Sequence, residues 1–369
     1  MWIKLLIIFT VYMNAPLSYG VDSIIHPKFK EVLDSKELNF PKDHGSHPEF
    51  KTEWWYFTGH LQNNFAKKFG FELTFFRVGV NTQNSMRSKW AVQSIYLAHF
   101  AITDDENDSF NHAEKISRDN FSKAGSSLST LDVWIDDWSA KLKDNTILLS
   151  ANSEDISISL NLTPFKNVVL QGRDGFSQKG PKIGQASYYS SFTNLKGSGT
   201  IRIKNTIHQI SKAKVWMDHE VTSSDIAYGI EGWDWFAIQL DDDSELMIYQ
   251  LRDKQNNPTK YSSGTIIYPD GQTKRLNNSD FKITPHSTWK SKTTNINYPH
   301  EWTIIVPKDE IELVIVPTVK NQEMTTSKST RNSYWEGRST VTGRVKGKEK
   351  TGNAYVELVG YEEKNISGQ

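Results

Sequence analysis

An internal duplication limits how this chain of 369 residues can fold more than any other feature. An aromatic run at residues 53–61, EWWYFTGHL, returns in altered form at residues 233–240, WDWFAIQL. Each run is followed by a second strand-like run that contains a Glu-Leu pair and ends in arginine, at Arg77 and at Arg252. Strands with large aromatics on both faces must turn at least one face toward a core, a cavity or a partner domain. We therefore expect two copies of one buried strand pair.

The repeat extends beyond these opening strands. Ser-Tyr-Tyr at residues 187–189 precedes Gly197, as Ser-Tyr-Trp at residues 333–335 precedes Gly343. Strict alternation of apolar and polar residues at 156–162 favours half-buried strands over helices. The chain is therefore predicted to be all-β, with one antiparallel barrel or sandwich per half, because closing a sheet removes its exposed edges.

The duplication also predicts domain boundaries and equivalent positions. We place a first domain at 21–205 and a second at 206–369, with the join between Gly199 and Glu220. On superposition of the two domains, Trp54 should overlie Trp233 and Ser187 should overlie Ser333.

Composition excludes several classes of function. The 43 basic and 43 acidic residues leave no net charge to attract a phosphate backbone, which argues against a nucleic-acid partner. Cysteine is absent, which removes disulfides, thiolate nucleophiles and cysteine-ligated metals together.

Residues 1–20 have the pattern of an export signal. Lys4 supplies a positive start, residues 5–13 an apolar core, and Ser18-Tyr19-Gly20 a small-residue cleavage site. A buried first strand is the alternative. The apolar core is too short to span a bilayer, and no later segment approaches a transmembrane length. The sequence predicts an exported protein, periplasmic or secreted, that has no stable transmembrane anchor and begins at Val21.

Several motifs together resemble the family of carotenoid 1,2-hydratase (hydroxyneurosporene synthase) and AttH. The resemblance covers nearly all of the chain after residue 20. It rests on residues 53–59, 72–77, 216–220, 232–236, 334–337 and 355–361, which read EWWYFTG, ELTFFR, WMDHE, GWDWF, YWEG and YVELVGY. The chain is most similar to the exported branch whose members carry the label of predicted secreted hydrolases.

The resemblance implies a fold and a chemistry. It implies two tandem lipocalin-like (calycin-like) antiparallel β-barrels. The carotenoid hydratases add water across a terminal isoprenoid double bond, and fungal relatives include a phytoalexin hydratase and pericyclases. An apolar small-molecule ligand, an isoprenoid or a lipid, is the partner that this resemblance implies.

Hydration of an unactivated alkene needs a proton donor in a dry pocket and a wall that stabilises a cation. On a strand, Trp216, Asp218 and Glu220 would share one face, and Met217 and His219 the other. An apolar surround would keep a carboxyl protonated, and an indole face stabilises nearby positive charge. A hydrogen-bonded network that locks the domain junction is the alternative for these residues.

We accordingly predict Asp218, His219 and Glu220 as catalytic residues. The candidate substrate-binding residues are aromatic or acidic members of the repeated motifs. They are Glu53, Trp55, Tyr188, Tyr189, Trp216, Trp233, Asp234, Trp235 and Trp335. The alternation does not decide which face of each strand points inward, and filled barrel cores would account for most of these aromatics.

Other chemistries find little support. Arg77 and Arg252 are expected to form buried ion pairs with carboxylates such as Glu53, Asp234 or Glu336. No Gly-x-Ser-x-Gly elbow exists to support a hydrolase. Asp43, His44 and His47 have spacing that suits a metal, but no His-Glu-x-x-His accompanies them. We predict neither a metal nor a cofactor.

Two functions remain open. The first is a cofactor-free hydro-lyase or isomerase that acts on an apolar substrate by acid catalysis. The second is a non-catalytic exported protein that binds lipid or another hydrophobic ligand in a barrel. An acid-catalysed enzyme needs an ionisable group in its cavity, and a carrier does not.

Overall fold

The computed structural model describes residues 29–80, 92–222 and 229–362. Within these ranges the regular structure consists of β-strands and four short 3-10 turns, Lys42–His44, Asn120–Ser122, Asn278–Asp280 and Pro307–Asp309. No helix in them is long and apolar enough to cross a membrane. The predicted export signal and Val21 lie outside the described residues.

The first sheet forms a nearly closed barrel. Its strands pair in the order β4-β3-β2-β1-β13-β12-β9-β8-β7-β6-β5, and β10 and β11 also pair with β12. They are β1 (Thr52–Asn63), β2 (Lys68–Gly79), β3 (Ser94–Asp104), β4 (Ser109–Arg118), β5 (Ala124–Ser126), β6 (Asp132–Ile135), β7 (Trp138–Lys143), β8 (Thr146–Asn152), β9 (Ile156–Pro164), β10 (Val169–Leu170), β11 (Phe176–Gln178), β12 (Ala186–Ile203) and β13 (Thr206–Thr222).

The second sheet forms a half-barrel. Its order is β17-β16-β15-β14-β23-β22-β20-β19-β18, and β21 also pairs with β22. The strands are β14 (Gly232–Leu240), β15 (Glu245–Arg252), β16 (Ser263–Ile267), β17 (Thr273–Asn277), β18 (Lys282–Lys290), β19 (Asn297–Val306), β20 (Ile311–Pro317), β21 (Glu323–Thr325), β22 (Ser333–Val345) and β23 (Lys348–Val359).

The predicted duplication is present in the strand order. In the first sheet β2-β1-β13-β12-β9-β8-β7 corresponds to β15-β14-β23-β22-β20-β19-β18 in the second. The all-β class with two barrel-like sheets is confirmed, although the second sheet stays half open.

The first sheet extends beyond the domain boundary predicted at 205/206. Strand β13 pairs with β1 and β12, so the first sheet runs to Thr222 and the second begins at Gly232. Residues 204 and 205 form the turn of the β12–β13 hairpin rather than a link between domains.

The strand pairing also revises the predicted equivalences. If Trp54 corresponds to Trp233, then Trp55 corresponds to Asp234. Trp55 lies opposite His219, which lies opposite Ser190, and Asp234 lies opposite Leu358, which lies opposite Trp335. Trp335 therefore corresponds to Ser190, and the predicted match of Ser187 with Ser333 is one residue out of register. The reason is a pair of register shifts in β12 that fixed spacing does not reveal.

The glycine in the first half that corresponds to Gly343 is Gly199 rather than Gly197. Gly199 and Gly343 share positive φ angles of 158° and 157° and lie opposite Leu160 and Leu313. A Cβ at Gly199 would lie 2.0 Å from the Ser159 carbonyl oxygen, so no other residue fits there.

Each central strand contributes to two different cores. Along β1, Trp55 and Phe57 belong to the barrel interior, whereas Tyr56 belongs to a cluster between the sheets. Along β14, Phe236 packs inside the half-barrel and Trp235 lies in the same cluster between the sheets. The two sheets therefore pack outer face against outer face.

A buried lysine joins the two sheets. Lys166, which follows β9, donates from Nζ to Glu245 Oε2 at 2.7 Å, to the Tyr268 carbonyl at 2.9 Å and to the Asp243 carbonyl. The side chains of Lys166 and Glu245 are only 6% and 0% exposed. Removing one partner of such a pair leaves a buried charge uncompensated.

We expect Lys166→Met to lower the free energy of unfolding by about 3 to 5 kcal/mol. Urea denaturation measures the loss. Lys308→Met is the matched control, since Lys308 is 77% exposed and pairs with Asp280 at the surface; it should change stability by less than about 1 kcal/mol. Equal losses in the two variants would show that the Lys166 contact does not hold the sheets together.

Candidate active site between the two sheets

A cavity of about 120 Å³ lies between the two sheets. Its walls combine aromatic and carboxyl side chains from both sheets. The aromatic members include Trp54, Tyr56, Tyr189, Trp233, Trp235, Tyr249 and Tyr334. The carboxyl members are Asp218, Glu220, Glu336 and Glu357.

Two equivalent rows of side chains build the central walls. Cα pairing across strands β12, β13, β1 and β2 aligns Ser191, Asp218, Tyr56 and Thr74 on one face of the first sheet. Pairing across β22, β23, β14 and β15 aligns Glu336, Glu357, Trp235 and Tyr249 in the second. The duplication relates these rows member by member, so Asp218 and Glu357 are equivalent acids that line one cavity. Extending the sequence repeat to its last strand would have identified Glu357.

Asp218 is buried among three hydrogen-bond donors. Its Oδ1 accepts from Ser191 Oγ at 2.5 Å and from Trp216 Nε1 at 2.6 Å, and its Oδ2 accepts from the Tyr189 hydroxyl. Burial raises the pKa of Asp218 to about 7, and the charge of Glu220 adds to this effect, while the three hydrogen bonds oppose it. A substantial share of Asp218 therefore holds a proton at neutral pH.

Glu220 has a charged partner that sequence reasoning missed. Lys179, which follows β11, approaches Glu220 Oε2 at 2.9 Å, and Ser187 Oγ donates to the same oxygen at 2.6 Å. Lys179 also lies over the ring of Tyr249 at 4.0 Å. Burial is the largest influence and acts to lower the pKa of Lys179, but the charges of Glu220 and Tyr249 and the hydrogen bonds to them together outweigh it, and the pKa is raised. Lys179 is thus held in its charged form, and nothing in the surrounding sequence marks it.

The second sheet contributes two further acids. Glu357 accepts from Trp233 Nε1 at 2.9 Å, and burial, aided by the charges of Asp218 and Glu220, raises the pKa of Glu357 to about 7. Glu336 accepts from the Tyr56 hydroxyl at 2.8 Å, and burial raises its pKa well above the ordinary value. Burial therefore favours the protonated, neutral form of Glu336.

Tyr334 connects the cavity to the surface through a chain of polar groups. Its hydroxyl bonds His99 Nδ1, and His99 Nε2 bonds Ser329 Oγ at 2.9 Å. Ser329 in turn donates to half-buried Glu114. Burial lowers the pKa of His99 to about 3, so this imidazole is neutral.

Five of the predicted site residues line the cavity, namely Asp218, Glu220, Tyr189, Trp233 and Trp235. Trp216 supports two residues of the cavity wall: its indole donates to Asp218, and its ring packs edge-on against Trp235. Strand alternation turns the remaining predicted residues away from the cavity. These are Glu53, Trp55, Tyr188, His219, Asp234 and Trp335.

The contacts of these residues explain the correction. Tyr188 is half-buried against Phe50, and Trp335 packs on Trp302 inside the half-barrel. Asp234 pairs with Arg252 at 3.2 Å. The predicted buried ion pair of Arg252 is thus confirmed, but its carboxylate does not reach the cavity.

Glu53 is the centre of a separate buried network. It accepts from Arg77 Nε at 3.1 Å and binds His47 Nδ1 and His219 Nε2 at 2.9 Å each. Trp55 stacks on the His219 ring at 5.0 Å. Burial acts to raise the pKa of Glu53, but the bonds to His219 and His47 and the charge of Arg77 hold it well below the ordinary value.

His219 belongs to this buried network and does not line the cavity between the sheets. Candidate metal-ligand atoms of His47, Glu53 and His219 lie within 4.8 Å of one another. Glu53 is already engaged by Arg77 and both imidazoles, so a metal would have to displace existing hydrogen bonds. We interpret the cluster as the ion-pair anchor of β1.

Comparisons with known proteins agree with the fold. Residues 31–361 match the family model described as AttH-like. A crystal structure from Nitrosomonas europaea, described as an AttH, has 33% identity and a TM-score of 0.81 over 90% of this chain and 100% of that one. No curated protein sequence matches the chain.

More distant structures share the fold alone. Kievitone hydratase from Nectria haematococca has 15% identity and a TM-score of 0.66 over 90% of this chain and 96% of that chain. CghA has 11% identity and a TM-score of 0.54 over 85% of this chain and 89% of that chain.

The raised pKa of Asp218 predicts a pH-dependent loss of stability. An unfolded aspartate titrates at about 3.9, so between that pH and about 7 only the folded state keeps this proton. The stabilisation that comes from the protonated form of Asp218 is fully present below pH ~4 and is lost as the pH rises to ~7. We expect wild type to lose stability relative to Asp218→Asn over this interval, as measured by urea denaturation.

Infrared spectroscopy provides an independent check. The C=O band of protonated carboxyls should lose intensity in wild type as pH rises through about 7, with separate parts of this loss removed by Asp218→Asn and by Glu357→Gln. A loss of intensity near pH 7 that is unchanged in both variants would contradict the assignment.

Proposed function

The chain belongs to the AttH-like family, and we propose that it is a cofactor-free hydratase. In this proposal it protonates an alkene of an apolar, isoprenoid-like substrate in the cavity between the sheets. The observation that carries the proposal is Asp218, a buried carboxyl with a pKa of about 7 that sits among indole rings. Such a group supplies a proton at neutral pH where an ordinary aspartate is already ionised.

The aromatic walls suit the cation that protonation creates. Transfer of the Asp218 proton to one alkene carbon leaves a positive charge on the other carbon. Trp54, Trp233 and Trp235 line the cavity, and each correctly oriented ring stabilises a nearby cation by about 0.5 to 2 kcal/mol. The ionised Asp218 that remains adds further electrostatic stabilisation in a site of low dielectric.

The equivalent acid completes the proton balance. A water molecule that attacks the cation forms the new C–O bond and must lose a proton. Glu357, in its ionised form, would accept that proton, leaving Asp218 ionised and Glu357 protonated. Both groups have a pKa of about 7, so returning the proton to Asp218 is nearly isoenergetic.

The size of the cavity limits what enters it. A protein cavity of roughly 150 Å³ accommodates benzene, and this one measures about 120 Å³. We therefore propose that only the reacting end of a long chain enters, which suits a terminal isopropylidene group. A carotenoid is one member of that substrate class.

The carrier alternative accounts less well for the acids. Burying several carboxyls costs stability, and binding an apolar ligand requires none of them. A structure with a similar fold is that of a protein named as a hydratase, kievitone hydratase. We further propose, from the sequence, that the protein is exported and that its partner is an apolar small molecule.

Asp218→Asn is expected to reduce turnover by about 10²- to 10⁴-fold, because the amide keeps the shape and loses the acid. Squalene and lycopene, whose chain ends carry isopropylidene groups, serve as probes. Incubation in H₂¹⁸O followed by mass spectrometry measures the labelled alcohol. Quenching of tryptophan fluorescence measures binding, which should change little in the variant.

Asp132→Asn, on the outer surface of the first sheet, is the control for the substitution itself. If Asp218 is structural instead, the variant should lose about 1 to 3 kcal/mol of stability and keep its specific activity. Saturable binding of both probes without product in wild type would favour the carrier.

A further inference from the structure

A second cavity, larger than the first, opens on the same inter-sheet face. It measures about 470 Å³ and shares no lining residue with the acid cavity. His60, four residues beyond Tyr56 on β1, lines it and pairs in register with Lys214, which pairs in turn with Lys196. Arg338 of β22 contributes the wall from the second sheet.

We propose that this second cavity binds a phosphate-type oxyanion. Its lining contains the five cationic side chains Lys68, Lys196, Lys212, Lys214 and Arg338 and no acidic side chain. The proposal goes beyond the hydratase function and does not depend on it.

Neighbouring acids compensate only part of this charge. Asp105 Oδ2 approaches Arg338 Nη1 at 2.6 Å. Asp243 lies 3.3 Å from Lys196 and 3.5 Å from Lys214. The charge of Glu245 also acts on Lys214, although Glu245 is already paired with Lys166. Five cations thus face three carboxylates, and the surplus positive charge is held together by the fold.

Buried groups without partners provide a second, independent observation. Arg338 is 2% exposed, and its Nε has no hydrogen-bond partner among the described residues. His60 is 8% exposed, and its Nδ1 likewise has none within the described ranges. Arg338 Nε is a buried donor without an acceptor, which is costly, and an oxyanion in this cavity supplies acceptors. His60 Nδ1 donates to the same anion in the tautomer that carries the proton on this nitrogen.

Size and donor type indicate the class of ligand. Guanidinium and ammonium groups together are the usual ligands of phosphate in proteins. A volume of about 470 Å³ has room for more than one phosphoryl group. The anion could be free or could be the head group of a phosphorylated isoprenoid, and the chemistry of recognition is the same.

Isothermal titration calorimetry of the protein with pyrophosphate tests the proposal. Saturable binding with one site per chain is expected, and it should weaken as salt is raised. Lys68→Met/Lys212→Met should weaken binding at least tenfold; both side chains are exposed, so the fold should be retained. Lys143→Met/Lys254→Met, at two exposed lysines outside the cavity, is the matched control and should bind like wild type.

Arg338→Lys keeps the charge and removes the unpartnered Nε, so it should also weaken binding. Since Arg338 is buried, circular dichroism checks that this variant remains folded before its affinity is compared. Geranyl diphosphate distinguishes the two sources of the anion. Binding at least tenfold tighter than pyrophosphate indicates a lipid head group, and equal binding indicates a free anion. Absence of binding at millimolar pyrophosphate, or equal affinity in both double variants, would overturn the proposal.

Discussion

The burial of two outer sheet faces against each other is the constraint on which this site depends. The outer face of a barrel is ordinarily solvated, and polar side chains there keep their water. Here Asp218, Glu336 and Glu357 lie between two sheets, and the donors described for them are the uncharged groups of serine, tyrosine and tryptophan. Retaining a proton is then more favourable than retaining a charge, which is why burial is the largest cause of each raised pKa. The unusual acidity follows from the packing of the sheets rather than from a special local motif.

At Glu53 the same burial is outweighed by strong donors and the pKa is lowered, whereas at Asp234 burial still raises the pKa although Arg252 opposes it. Glu53 and Asp234 both meet an arginine at the end of the neighbouring strand, at 3.1 and 3.2 Å. For Glu53, two imidazoles add to Arg77 and hold the carboxylate ionised. The two arginines stand at corresponding places in the duplicated hairpins, but their acids do not: Arg77 lies directly opposite Glu53, whereas Arg252 lies opposite Gly232 and reaches Asp234 two residues further along the strand. The two ion pairs anchor the first strand of each sheet, leaving the acids on the other face of those sheets free for chemistry.

The sequence was sufficient for the fold class and for part of the site. Aromatic repeats and alternation predicted two related β-sheets, and the period of two predicted that Trp216, Asp218 and Glu220 share a face. Alternation gives relative facing only, so Trp55, His219 and Trp335 could not be separated from Tyr189 and Trp235 in advance. Lys179 and Tyr334 reach the cavity through long-range packing, and no local pattern records such contacts. The location between the sheets, rather than inside a barrel, required the structure.

The member-by-member equivalence of the two cavity rows has an evolutionary consequence. Tyr56 and Trp235 occupy equivalent positions and contact each other, with ring centroids 5.2 Å apart, as residues do near the twofold axis of an isologous homodimer. In a homodimer every substitution occurs twice, so an acid on one wall is necessarily repeated on the other. Fusion of the two copies into one chain removes that restriction. Aspartate and glutamate, serine and glutamate, and threonine and tyrosine now occupy equivalent positions in the two walls, which such an ancestor would have made identical. Each wall is therefore free to specialise alone.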